Sequence, residues 1–174
     1  MILVVSTCAD KLSEEEFVKP IVGIAGKCDV KHYTNVKDVS GYDKIIICGT
    51  ALKDNEYLKN INGFLFLKET ISPVLGICSG MQILCLLYGA RITENKEIGM
   101  TKIKTLRENP LFSGNFEAYS LHGNGVDNLN EFYVLAESEE SVQAVKHKKK
   151  NLCGIMFHPE VRNEKIIRNF LDFA

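Results

Sequence analysis

The sequence predicts an α/β fold with a mostly parallel central sheet and antiparallel strands added in its C-terminal half. Three observations carry this. Short runs that are apolar on both faces recur early: "ILVVS" (Ile2–Ser6), "KIIICG" (Lys44–Gly49) and "PVLGIC" (Pro73–Cys78). Strands of that kind lie inside parallel sheets covered by helices on both sides. Helical stretches separate these runs. After about Arg91 the runs alternate apolar with polar, the mark of half-exposed strands.

The elements follow in chain order. "SEEE" (Ser13–Glu16) has the spacing of a capping box, which places a helix N-cap at Ser13, and Pro20 ends or kinks that helix. Residues Asn55–Thr70 carry Leu58, Ile61 and Leu65 at helical spacing, interrupted by Asn62–Gly63. Ser79–Tyr88 is apolar almost all round, as expected of a buried helix, and Gly89 stops it. Strands are expected at Ile98–Leu106, Phe132–Ser138 and Ser141–His147. A turn through Lys146–Asn151 then leads into Leu152–His158. A last helix near Asn163–Phe173 presents Ile166, Ile167, Phe170 and Leu171 on one face. With no repeat, low-complexity run or linker, one domain over residues 1–174 is expected.

Composition narrows the function. The formal net charge of −1 gives no global field for nucleic acid or an anionic membrane. No apolar stretch nears the roughly 20 residues that span a bilayer. "MILVVSTCADK" lacks a basic segment and a cleavage pattern, so it reads as a first strand and not as a signal peptide. The six cysteines form no CxxC pair and sit mostly in apolar runs, which argues against a zinc cage or a disulfide framework. A reducing cytoplasm is the expected setting, with no metal or cofactor.

One cysteine stands apart. In "VLGICSGMQILCLLYGA" (Val74–Ala90), Cys78 falls where a strand ends and a helix begins, with Gly76 and Gly80 on either side. A residue at such a corner often takes a strained backbone, and the glycines relieve the crowding around it. The side chain is expected to project at the carboxyl end of the sheet, where open α/β folds bind ligands. The following helix favours a thiolate, and its free N–H groups can hold an oxyanion. Gln82, one turn on, faces the same cleft.

A nucleophilic cysteine needs a base and an orienting group. His32 and His147 sit in unremarkable settings, which leaves His122 in "SLHGNG" and His158 in "MFHPE". Pro159 pushes His158 into an extended conformation, and side chains two apart in extended chain share a side. His158 and Glu160 can therefore converge, the carboxylate fixing the imidazole tautomer.

Taken together, "GICSGMQ" (Gly76–Gln82) and, 80 positions after Cys78, "HPE" (His158–Glu160) resemble the class I, or triad, glutamine amidotransferases. The match to Gly-x-Cys-x-Gly-x-Gln is carried by Gly76, Cys78, Gly80 and Gln82. The resemblance implies a flavodoxin-like three-layer sandwich and hydrolysis of L-glutamine through Cys78, His158 and Glu160 by way of a γ-glutamyl thioester. It implies an oxyanion hole from the backbone of Ser79 and of the loop at Gly49 and Thr50. That loop, "CGTALKD", lacks the Gly-Gly-Pro or Asn-Gly-Pro common in the family. "SLHGNGV" is similar to the family's glutamine-binding segment before a turn, with Leu121 where serine is usual and His122 serving binding, a partner interface or coupling.

The chain contains neither a P-loop nor GxGxxG. The ammonia is therefore expected to pass to a separate ATP-dependent synthetase subunit. The family implies stand-alone glutaminase subunits of the GMP synthase type as the nearest kind. Two other readings stay open on sequence alone: a γ-glutamyl hydrolase on the same scaffold, and a degenerate, non-catalytic binding protein.

Overall fold

A computed structural model describes residues 1–173; Ala174, the last residue of the expected domain, lies outside them. Nine strands form one sheet: β1 (Ile2–Ser6), β2 (Cys28–His32), β3 (Lys44–Ile47), β4 (Val74–Ile77), β5 (Arg91–Thr105), β6 (Phe116–Asp127), β7 (Phe132–Glu137), β8 (Val142–His147) and β9 (Leu152–Ile155). Their order is β2-β1-β3-β4-β9-β8-β7-β5-β6. From β2 to β9 all neighbours are parallel. From β9 outward all are antiparallel. The expected mixed sheet is therefore present, with the change of direction at β9.

Alternation along the early strands builds two cores. Val4, Ile46, Leu75 and Ile77 face one side, against Phe17, Ile21, Ile166 and Phe170. The helices on that side are α1 (Lys11–Phe17), α2 (Lys19–Ala25) and α6 (Lys165–Asp172). Leu3, Val5, Ile45, Ile47 and Val74 face the other, against Tyr57, Phe64, Leu67, Ile83 and Leu84. This second layer consists of α3 (Glu56–Lys59), α4 (Phe66–Glu69), α5 (Ser79–Leu87) and the 3-10 turn Ile61–Phe64 between α3 and α4. Each isoleucine of β3 is fully buried, which stabilises the sheet by roughly 1.5–3 kcal/mol per side chain.

Several local expectations are corrected. Asp10, not Ser13, caps α1: its carboxylate accepts from the Leu12 N–H, and Ser13 lies inside the helix. Pro20 opens α2 after α1 has already ended at Phe17, because a first-turn proline sacrifices no helical hydrogen bond. Asn55–Thr70 is no single helix; it breaks into α3, the 3-10 turn carrying Asn62–Gly63, and α4. The last helix begins at Lys165, with Glu164 as its cap. "SLHGNGV" precedes no turn: it lies within β6, paired to β5 through Val126. Of the long β5–β6 ribbon, the alternating pattern marks only Ile98–Leu106.

Candidate active site

Cys78 sits at the end of β4, as cap of α5, with φ of 51° and ψ of −106°. That positive-φ backbone is strained for a residue with a Cβ, and the flanking glycines show why it is tolerated. A Cβ at Gly76 would lie 2.5 Å from the Gly80 carbonyl, and one at Gly80 would lie 2.5 Å from the Ile47 carbonyl oxygen. The corner closes without steric overlap because both positions are bare. The side chain does not project freely as expected: Cys78 is only 5% exposed.

The strand end β9 and the turn after it bring His158 to the same place. The His158 backbone N–H donates to the Tyr119 carbonyl of β6 at 2.8 Å. Its Nδ1 lies 2.7 Å from Glu160 Oε1, with both side chains buried. The opposite ring nitrogen, Nε2, is buried without a hydrogen bond of ordinary geometry. Gly49 is the point of convergence. A Cβ there would fall 2.7 Å from His158 Cε1 and 3.3 Å from Cys78 Cβ. The Cys78 and His158 side chains thus meet beside one bare backbone position, with Glu160 bound to the ring. Cys78 Sγ itself is directed at the Leu121 carbonyl, 3.7 Å away; loose contacts of this kind are common before substrate binds.

Burial alone would push the His158 imidazole toward its neutral form. Cys78, by charge and proximity, and the Glu160 carboxylate outweigh it and hold the pKa well above the usual histidine range.

The remaining expected residues line the same slot: Thr50, Ser79, Gln82, Leu121 and His122, joined by Asp54, Asn55, Tyr57 and Asn124. Among the described residues the Thr50 and Ser79 N–H groups have no hydrogen-bond acceptor. Ser79 Oγ donates to the Cys48 carbonyl at 3.1 Å and lies 2.9 Å from Thr7 Oγ1. Thr50 Oγ1 donates to Asp54 at 2.6 Å. These bonds tie the loop down although it lacks a proline. Gln82 accepts from the Tyr57 hydroxyl and donates to the Asn124 carbonyl at 3.3 Å. The Asn124 amide in turn donates to Asn55 at 3.0 Å. The slot so enclosed measures about 10 Å³, room for about one water. A far larger cavity, about 830 Å³, lies elsewhere, among Lys102, Phe116, Glu137 and Ser138; Cys78 lines the small slot and not the large cavity.

Among the described residues no group of three or more His, Cys, Asp or Glu is placed to hold a metal ion. No helix among them is long and apolar enough to cross a membrane.

A family model described as glutamine amidotransferase class-I matches residues 19–172. The chain belongs to the class-I glutamine amidotransferases. Its relatives include a glutamine-hydrolyzing GMP synthase subunit from Methanocaldococcus jannaschii, 32% identical over 164 residues, covering 79% of this chain and 87% of the relative. The protein of the same name from Archaeoglobus fulgidus is 30% identical over 156 residues, covering 83% of each. A solved structure from Thermoplasma acidophilum, provisionally described as the same GMP synthase component, superposes with a TM-score of 0.86 at 25% identity, over 98% of this chain and 91% of that one.

Sequence reasoning missed four contributors to this amidotransferase's slot and its surroundings. Tyr57 reaches it from a stretch read as helix, and Asn124 and Asp54 from "SLHGNGV" and "CGTALKD", segments singled out for other residues. Glu97 is the fourth: buried, and 3.3 Å from His122. Alternation around "KEIGM" puts Glu97 on the face opposite Ile98 and Met100 and so reads it as exposed, whereas in the structure Ile98 and Met100 are the exposed residues and Glu97 is buried. His122, considered for a partner interface, is 2% exposed and cannot contact a partner directly.

Proposed function

We propose that this amidotransferase hydrolyses L-glutamine to glutamate and ammonia through Cys78, His158 and Glu160, and that it is the glutaminase subunit of a GMP-synthase-type pair. Cys78 Sγ, its proton handed to His158 Nε2, attacks the side-chain amide carbon. The same ring passes that proton to the departing nitrogen, and the C–N bond breaks to leave ammonia and a γ-glutamyl thioester. Water, deprotonated by His158, then cleaves the thioester to glutamate and restores the thiol. Glu160 orients the ring and balances its charge in both halves of the cycle. The free N–H groups of Ser79 and of the Gly49–Thr50 loop stabilise the oxyanion.

The observation that carries this reading is the convergence at Gly49: a strained, helix-capping cysteine and an imidazole anchored by a buried carboxylate meet over a residue with no side chain. The partner follows from the names of the relatives and from the absence of any nucleotide-binding motif in the sequence. A separate synthetase subunit in the cytoplasm consumes the ammonia.

The test is ammonia release from L-glutamine by the chain alone and with the protein that co-purifies with it. Release that rises several-fold with the co-purifying synthetase supports the proposal. Turnover of γ-glutamyl peptides in preference to glutamine, unchanged by any partner, would instead mark a stand-alone γ-glutamyl hydrolase.

A further inference from the structure

The β5–β6 ribbon is broken beside the slot. Glu94 pairs with Asn124 and Glu97 with His122, so Asn95 and Lys96 oppose Gly123 alone. Such a bulge leaves backbone groups without ladder partners. Side chains take over there. His122 Nδ1 donates to the Asn95 carbonyl at 3.2 Å, and its Nε2 lies 3.5 Å from Gln143 Nε2, the same amide that donates to Glu97 Oε2, itself 3.3 Å from the ring. Glu97 Oε2 also accepts from Ser141 Oγ at 2.6 Å, Gln143 Nε2 at 2.7 Å and Ser138 Oγ at 3.1 Å. The His122 side chain is wholly buried and that of Glu97 is 8% exposed. A buried carboxylate held by this many donors is an anchor point that few other residues could supply.

What the anchor holds is the wall of the slot. Leu121 supplies the carbonyl that faces Cys78 Sγ, and Asn124 supplies the carbonyl that faces Gln82. Both belong to the stretch whose buried side-chain tether at the bulge is His122. We propose that Glu97 is a positioning residue for the glutaminase site: by fixing Gln143 beside the His122 ring and packing against that ring across the bulge, it sets the Leu121–Asn124 segment against Cys78 and Gln82 and so sets the affinity for glutamine. This rests on the proposed function, since it concerns the same slot. Glu97 touches neither the thiol nor the triad imidazole, so its effect falls on binding and leaves the chemical step alone.

The experiment compares wild type, Glu97→Gln and Glu97→Ala. Glutamine turnover gives KM and kcat. Inactivation of the isolated chain by a glutamine-mimicking diazoketone gives the same split as KI against kinact. Glu97→Gln keeps the shape and most donors satisfied, so it guards against a misfolded Glu97→Ala; circular dichroism and thermal melting establish which variants are folded. Loss of a charged hydrogen-bond acceptor predicts a rise of roughly tenfold or more in KM and KI for folded Glu97→Gln, with kcat and kinact within about threefold of wild type. Unchanged KM and KI in the folded variant overturn the inference, as does a fall confined to kcat and kinact. Wild-type protein that neither turns over glutamine nor takes up the diazoketone overturns the proposed function, and this inference with it.

Discussion

Two buried histidine–glutamate pairs lie around the same site, and they are built in opposite ways. His158 and Glu160 are two residues apart on one extended segment, 2.7 Å from each other, and the ring's other nitrogen has no hydrogen-bond partner. His122 and Glu97 come from different strands, lie 3.3 Å apart, and have ring nitrogens and carboxylate engaged by neighbours on every side. Burial pushes both imidazoles toward neutrality. At His158, Cys78 and Glu160 overcome it and the pKa rises. At His122 burial wins over Glu97 and the pKa falls. The difference teaches what separates a working pair from a holding pair: a proton carrier keeps one nitrogen open to a reacting group, whereas an anchor commits both to the scaffold.

Substitutions at the first pair should have the largest effects. His158→Ala should lower glutaminase kcat by about 10⁴-fold or more, and Glu160→Ala by about 10–100-fold less than that, because Glu160 orients the base and moves no proton. Steady-state kinetics in the reverse order would show that the two roles are exchanged. Gly49→Ala should cost about 10²–10³ in kcat, since the added methyl would press on His158 and displace the donor loop. Activity close to wild type would mean that the loop and the imidazole give way without consequence.

The same contrast can be sharpened with pH. A histidine whose folded pKa is raised contributes stability that is full below its unfolded pKa, near 6.5, and is lost as pH rises through the folded value. Removing part of the cause with Glu160→Gln should therefore lower Tm more at about pH 6 than at about pH 10. An equal or larger loss at the alkaline end would show that His158 is not held as the cation. The smallest effect is structural: Gly80→Ala should destabilise by about 1–3 kcal/mol in urea denaturation, because its methyl meets the Ile47 carbonyl of β3.

How much of this was legible in the sequence follows the same division. The inner parallel strands β1, β3 and β4 were readable because they are buried on both faces and announce themselves as unbroken apolar runs, β1 matching Ile2–Ser6 residue for residue; the half-exposed edge strand β2, Cys28–His32, carries no such run. Cys78, Gly76 and Gly80 were readable because steric demands at one corner act between near neighbours. His158 and Glu160 were readable because they share a single extended segment. The β5–β6 ribbon was read only in part, since only one side of each strand is covered and the pairing joins residues far apart in the chain. Glu97 with His122, and Tyr57 with Gln82, are long-range pairs whose partners leave no mark on each other's local sequence. The closed slot was likewise unreadable, because it depends on Asn55 and Asn124 meeting across 69 positions.

The central claim is that the sulfur of Cys78 forms the covalent intermediate. The most direct measurement is peptide mapping by mass spectrometry after brief exposure to the diazoketone, run in parallel on wild type and Cys78→Ala. The account predicts a single glutamyl-analogue adduct on the peptide containing Cys78, and in Cys78→Ala neither adduct nor ammonia release despite an unchanged fold. An adduct on another of the six cysteines, or glutamine turnover retained by folded Cys78→Ala, would contradict it.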